Sequence, residues 1–440
     1  MSKFRKQHMS IDWHEIINDD SDLPAIKASL REKASLVGRL GSMMLSVGTS
    51  AWRVRASMNK ISRALGIDCV ADIGLMSIEY TCIENGETYS SALSLSNTGI
   101  NTDKLNELEN FADGFNERAG KYSIAQFHRI LDKFQEMPAN YKAINLALAS
   151  ALACCGFTFL LGGGIVEMIL AFFGAGMGQF VRKKLIERHI TLLANVTAAV
   201  AAACTTYVSL MKLAEALFDL SAVHQAGYIC SMLFIIPGFP LITGGIDLAK
   251  LDIRSGLERL TYALLIITMA TLTGSMMAWI FRYHPSEFKE QELSDALKCL
   301  FRMICSFCGV YGFSFLFNSR RRMAVCAGFI GMIANTLRLE LIDFTEIPVP
   351  AAAFVGALTA GLLASLLKKH IGYPRITLTV PSIVIMVPGM FMYKGIYYLG
   401  CSDIATGSLW LCKAALIVMA LPLGLIFARI LTDRNFRKSS

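Results

Sequence analysis

Charge is scarce in this 440-residue chain. Asp, Glu, Lys and Arg make up 17% of it, against 54% hydrophobic residues and a mean hydropathy of +0.48. That balance excludes a disordered chain and argues against a string of ordinary soluble domains, both of which need more polar surface. Dense Lys/Arg stripes clear of the apolar runs are missing too, which excludes a nucleic-acid partner. There is no Gly-rich phosphate loop, no nucleophile elbow and no ATP-binding motif, so neither an enzyme nor a primary pump is expected, and no cofactor. The twelve cysteines form no framework: Cys154 and Cys155 are adjacent, and Cys305 and Cys308 stand in an apolar run without a second pair at zinc spacing. They are expected to be small packing residues, with no metal site. Met1 to Ala28 is polar and lacks the apolar core of a signal peptide.

What charge there is lies unevenly. The first 140 residues carry 16 Lys/Arg and 18 Asp/Glu, and the remaining 300 carry 26 and 16. The first part therefore has the charge density of a soluble domain. Its apolar positions recur at helical spacing from Lys33 to Gly48 and again from Trp52 to Leu65, where Gly66 closes the helix. The period then shortens over Asp68–Gly74, Met76–Ile83 and Glu87–Leu95, and Asn85-Gly86 supplies a two-residue hairpin turn. Helices Asp103–Arg118 and Ser123–Gln135 follow, with Ser123 as N-cap and Pro138 as terminator. His8, His14 and His128 are isolated in sequence and are expected to be solvated or capping.

After Pro138 the chain holds ten apolar segments of roughly 20 residues, the length that crosses about 30 Å of hydrocarbon. They fall near 141–161, 163–181, 190–210, 222–244, 256–281, 298–318, 321–341, 348–367, 376–399 and 404–431. With the soluble domain in the cytoplasm, the cytoplasmic loops and tail collect 17 Lys/Arg and the opposite loops 6. This positive-inside asymmetry predicts both termini cytoplasmic in the cell (inner) membrane.

Prolines number only 11, yet two of them stand in Pro-Gly pairs, Pro237-Gly238 and Pro388-Gly389, 151 residues and five spans apart. An odd number of spans between two copies means that they run in opposite senses. The fold predicted is a polytopic α-helical membrane protein of about ten transmembrane helices, arranged as a 5+5 inverted repeat and preceded by an α+β soluble cytoplasmic domain. Its expected parts are a polar extension (1–29), the cytoplasmic domain (30–139), membrane repeat 1 (140–283), an extracytoplasmic linker (284–297), membrane repeat 2 (298–432) and a basic cytoplasmic tail (433–440).

Proline removes a helical N–H and clashes with the preceding turn, while glycine tolerates dihedrals that a helix cannot hold. Two helices broken at mid-bilayer would offer free N–H and C=O groups to a zwitterionic or anionic solute. Pro237, Gly238, Pro388 and Gly389 are therefore the candidate transport path. Glu167 joins them as an intramembrane carboxylate that either couples protons or anchors at the interface. Asn195 and Asn335 are solute ligands or interhelical hydrogen-bond glue. Asp247 and Lys394, following the two breaks, are gate candidates or solvated loop charges. Gly174, Gly176 and Gly178 suit close helix packing, and Lys413 suits snorkelling to the outer face.

Gly48-Thr49-Ser50-Ala51-Trp52-Arg53-Val54, followed by Ile61-Ser62-Arg63-Ala64-Leu65-Gly66 and a hairpin, resembles the cytoplasmic domain of the threonine/serine exporter family. Ile236-Pro237-Gly238-Phe239-Pro240-Leu241 with Ser255-Gly256-Leu257-Glu258-Arg259 resembles its first membrane half. Pro381 through Val387-Pro388-Gly389 resembles its second, here fused into one chain. Arg55 departs from the acidic residue common after the family's Arg-Val pair, and Met390-Phe391 from a smaller stretch after the second break. The resemblance implies a secondary exporter of small amino acids (threonine, serine), coupled to the proton gradient and surrounded by membrane lipids. Paired-subunit relatives are associated with dicarboxylate export, so an organic acid such as succinate is the alternative solute. A channel or membrane-bound sensor is the third reading, and a homo-oligomer is left open.

Overall fold

The computed structural model describes residues 11–17, 23–218, 222–283, 288, 293–434 and 436; His8, most of the 284–297 linker and most of the basic tail lie outside them. The chain divides into two compact units. One comprises residues 1–139 with 246–259, the other 140–245 with 260–440.

The first unit packs helices on a three-stranded antiparallel sheet. Helix α1 (Leu30–Ser46) opens with a capping box in which Ser29 and Glu32 satisfy each other's backbone N–H. Helix α2 (Ala51–Ala64) ends before Gly66, whose φ of +74° only glycine adopts at no cost. Strands β1 (Asp68–Ile73), β2 (Ser77–Glu84) and β3 (Glu87–Ser94) lie in sequence order. Asn85 and Gly86 turn the β2–β3 hairpin with φ of 51° and 85°, the two positive values of a type I′ turn. The helix expected over 103–118 is two: α3 (Thr102–Asp113) and α4 (Phe115–Arg118), parted at Gly114, a residue that loses more entropy in a helix than any other. Helix α5 (Ile124–Glu136) starts at Ser123 with a second capping box, to Gln126.

The core of this unit is Leu36, Leu40 and Met44 of α1 against Ile61, Tyr80 and Phe111. Gly38 makes room for Tyr80, whose Cζ would lie 2.5 Å from a Cβ there, and the phenol donates to the Ala34 carbonyl at 3.1 Å. The isolated histidines prove to be neighbours. His128 is fully buried, its Nε2 3.1 Å from Ser35 Oγ and its Nδ1 3.0 Å from Arg39 Nη1. His14 meets Asp132 at 3.0 Å, and Arg39 reaches the other oxygen of that carboxylate. Solvation was the wrong expectation for His128, because α5 lays it against α1.

The second unit is helical. It runs α6 (Ala143–Leu160), α7 (Ile165–Glu187), α8 (Leu192–Phe218), a 3-10 segment (Ala222–Ile235), α9 (Gly238–Ala249) and α10 (Ile253–Phe281). After the linker come α11 (Asp295–Leu316), α12 (Arg321–Phe344), α13 (Val349–Ile371), α14 (Arg375–Ile383) with a 3-10 turn Val384–Met386, α15 (Gly389–Gly400) and α16 (Ile404–Thr432). The last four residues of α9 and the first seven of α10 belong to the first unit. Eight helices among the described residues are long and apolar enough to cross a membrane. Two further pairs, bent by 61° at Pro237-Gly238 and by 47° at Pro388-Gly389, bring the number to ten if each is one span.

The helices that follow the two breaks match in length. Helices α9 and α15 have 12 residues each, α10 and α16 have 29 each, and both sets start 151 residues apart. Helices approach closely where side chains are absent. A Cβ on Gly174 would lie 2.8 Å from Ser231 Cβ, one on Gly156 2.6 Å from the Cys305 carbonyl, and one on Gly424 2.5 Å from the Phe354 carbonyl. Small residues let backbones pack where lipid offers no hydrophobic drive between helices. Gly176 is looser than its neighbours, at 3.4 Å from Ala151.

Candidate solute site at the two helix breaks

Both interruptions have the same local cause. In each, a 3-10 stretch runs to Ile235 or Met386, one residue follows, and Pro and Gly start a new helix. The glycine N–H turns back onto the residue two before it, at 2.8 Å in both (Gly238 to Ile236, Gly389 to Val387). Pro388, the N-cap of α15, offers no side-chain cap, so the first turn of that helix keeps backbone donors without intrahelical acceptors.

The tertiary structure seats the breaks against each other. A Cβ on Gly238 would lie 2.5 Å from Val384 Cγ2 and 3.3 Å from Val387 Cγ2; one on Gly389 would lie 3.1 Å from Ile236 Cγ1. Tyr228, ahead of the first break, and Tyr393, beyond the second, share a hydrogen bond of 2.5 Å between hydroxyls, each 1% exposed. Thus 151 residues of separation collapse into one neighbourhood of apolar walls, glycine backbone and two phenols.

Other candidates fall at varying distances from it. Asn335 is fully buried on α12 and donates to Ser306 Oγ at 2.8 Å, while its Oδ1 has no hydrogen-bond partner among the described residues. One turn further, Arg338 donates from Nη1 to the Met386 carbonyl at 3.3 Å, at the edge of the second break. It was not among the residues singled out from sequence; its place inside the apolar run 321–341 was the signal available. Glu167, 6% exposed, caps the start of α7 by accepting from Gly164 N–H at 2.9 Å, beside Gly227 of the 3-10 segment that leads to the first break. Asn195 is buried on α8 and donates to the Arg182 carbonyl at 3.3 Å, a tie between α7 and α8 away from the breaks. Lys394 lies within α15, its ammonium 4.7 Å from the Trp410 ring centroid; Lys413 covers the same indole at 5.2 Å.

Asp247 belongs to the first unit and is no loop charge in water. It is 0% exposed, and Oδ2 accepts from Arg259 Nε at 3.1 Å, Ser255 Oγ at 3.0 Å and Ala51 N–H at 3.2 Å. Arg259, 2% exposed, also donates to the Thr49 carbonyl at 2.7 Å and to that of Gly48. Gly48, at φ +87°, turns the chain so that both carbonyls face the guanidinium. Around this clasp, Arg55 pairs with Asp252 at 2.6 Å, Arg254 pairs with Asp72, and Glu258 accepts from Leu75 N–H at 2.5 Å. Arg55, the departure from the family pattern, therefore has an acidic partner of its own. Arg53 likewise meets Glu109 at 2.7 Å.

Long apolar helices with two bent pairs define a multi-pass α-helical membrane protein. A family model for threonine/serine exporters matches residues 35–281, more than half of the chain, and a second, described as "Threonine/Serine exporter, ThrE", matches 302–431. The chain belongs to the threonine/serine exporter family; it is a membrane transporter and not an enzyme. It is 28% identical over 260 residues to the "Probable succinate transporter subunit YjjP" of Klebsiella aerogenes, covering 58% of this chain and 96% of the relative. It is 22% identical over 434 residues to the "Probable threonine/serine exporter" of Mycobacterium tuberculosis, covering 92% and 77%. The "Pheromone-regulated membrane protein 10" of Debaryomyces hansenii shares 22% identity over 386 residues, 82% of this chain and 36% of the relative. No solved structure matches.

Proposed function

We propose that this exporter is a secondary transporter of small amino acids such as threonine and serine, driven by the proton gradient across the cell membrane. In this reading two five-helix halves of opposite sense rock around the paired breaks, with both termini in the cytoplasm. The reciprocal seating of Gly238 and Gly389 carries the proposal. An exporter needs a polar path at mid-membrane, and broken helices supply backbone donors and acceptors there without charged side chains. Glu167 is the candidate proton carrier, a nearly buried carboxylate beside the segment leading to the first break. Asp247 and Lys394 are the candidate gate residues, placed on the two helices that start at the breaks.

A dicarboxylate is the second reading of the solute, favoured by the probable succinate transporter subunit at 28% identity. Purified protein in vesicles loaded with labelled threonine or succinate, with and without a pH gradient, separates the two. Saturable, gradient-dependent threonine efflux is expected. Replacing Pro237-Gly238 or Pro388-Gly389 with Ala-Ala restores continuous helices and should abolish efflux while leaving membrane insertion intact. Efflux at the wild-type rate from both double mutants would refute the role of the breaks.

A further inference from the structure

We infer that Arg338 is the group that grips the carboxylate of the exported solute, and that Asn335 accepts its ammonium. The inference rests on the exporter reading above and names the residues that would hold the cargo.

Arg338 differs from the cations of the adjacent helix α11. On the neighbouring face, Arg302 meets Glu340 at 3.0 Å and Asp343 at 2.6 Å, and Lys298 meets Asp343 at 2.7 Å. Those charges are neutralised by carboxylates of the chain itself. Arg338 has no carboxylate partner among the described residues. Its one hydrogen bond there is from Nη1 to the Met386 carbonyl, and its buried Nε has no hydrogen-bond partner among the same residues. A guanidinium in an apolar span without a counter-ion is costly unless an anion comes to it.

The geometry suits a carboxylate. With Nη1 turned to Met386, the edge formed by Nε and Nη2 is left, and that edge is the fork that binds a carboxylate through two parallel N–H···O bonds. The positive end of α15 begins three residues past Met386, at Gly389, and adds backbone donors for the same charge. Gly356 of α13 completes the wall. A Cβ there would lie 3.2 Å from both Arg338 Cβ and Met386 Sδ, so a larger residue would press on the arginine and the break together.

Asn335 precedes Arg338 by one helical turn, the spacing that sets two side chains on one face. Its amide nitrogen is committed to Ser306, which leaves Oδ1 as a buried acceptor lacking a donor among the described residues. A donor fork beside a lone acceptor matches an α-amino acid, with its anionic and cationic ends a few ångströms apart. A second carboxylate would meet Oδ1 as acceptor against acceptor. The pair therefore favours threonine or serine over succinate.

The test uses the full chain, purified and reconstituted, with L-threonine, succinate and threoninamide as probes. Arg338→Gln should raise the KM for threonine efflux on the order of 10- to 100-fold, the range of a charge-assisted hydrogen bond. Arg338→Lys, which keeps the charge and loses the fork, should fall between. Asn335→Leu should weaken threonine and leave succinate unchanged or improved. A binding readout runs alongside, since it does not depend on transport. Threonine should raise the melting temperature of the wild type, threoninamide should not, and Arg338→Gln should erase the difference. A wild-type KM in Arg338→Gln with only a lowered maximal rate would show that the arginine merely caps the Met386 carbonyl, and would overturn the inference. A wild-type protein whose melting responds to threonine and threoninamide alike would overturn it as well. Wild-type vesicles that move no solute, together with a carboxylate-specific melting shift, would instead refute the exporter reading and leave the binding assignment standing.

Discussion

The two broken helices begin alike and end differently. Each break sits at a Pro-Gly pair, each is followed by a 12-residue helix and then by a 29-residue one, and the equivalent residues are 151 apart throughout. Downstream of the first, positions 247 and 259 are Asp and Arg, buried together and holding the Gly48-Thr49 turn of the first unit. Downstream of the second, the same positions are Tyr398 and Trp410, and the cations nearby, Lys394 and Lys413, rest on the Trp410 indole. One backbone device thus occurs twice, with different far ends. The first is tied into the folded domain by a buried ion pair, and the second is finished with aromatic–cation contacts.

That contrast can be broken in order of expected effect. Asp247→Ala leaves Arg259 charged and buried without its carboxylate, a loss of about 3–5 kcal/mol. Tyr398→Ala at the equivalent position should cost far less, and melting of the purified protein compares them. If Asp247→Ala melts with the wild type, the clasp is not what holds the first unit to its 246–259 segment.

Close approach at the breaks gives the next effect. Gly238→Ala must displace Val384 from 2.5 Å, whereas Gly389→Ala meets Ile236 at a strained but tolerable 3.1 Å. Overpacking costs about 1–3 kcal/mol, and Gly238→Ala should take the larger share. Equal melting temperatures for the two variants would contradict the tighter seating of the first break. Tyr228→Phe and Tyr393→Phe each remove one side of the same hydrogen bond, 2.5 Å long in an apolar setting. Each should cost about 0.5–1.5 kcal/mol, and the double variant no more than the worse single one.

The smallest effect is a pH dependence confined to the first unit. Burial raises the Asp132 carboxyl, but the hydrogen bonds and charges of Arg39 and His14 outweigh it and hold the group below its ordinary value. A lowered folded pKa means stability that is present above the unfolded value and lost as pH falls through the folded one. Because the carboxylate is 35% exposed, the contribution is about 1 kcal/mol or less. Wild type should melt above Asp132→Asn at neutral pH, with the gap closing on acidification. A gap that widens in acid would reverse the assignment of partners.

Much of this architecture was legible before any coordinates. Ten apolar runs, the Asn85-Gly86 turn, the Ser123 cap and the two Pro-Gly pairs are all local signals. Each depends on one residue's dihedral preference or on the hydropathy of about 20 neighbours, and such properties survive in any tertiary setting. The order of the elements followed from them, while the split of the 103–118 helix at Gly114 did not.

Only the tertiary structure decided which polar groups are buried and what they face. Arg259 and Arg338 count alike with any surface arginine in a tally of charge, yet one is locked to Asp247 and the other turns to a carbonyl at a helix break, with no carboxylate partner among the described residues. His14 and His128, 114 residues apart, share a network through Arg39 and Asp132. Long-range pairing of this kind leaves no trace in local spacing, because the free energy of a charged group is set by the dielectric and the partners that folding brings to it.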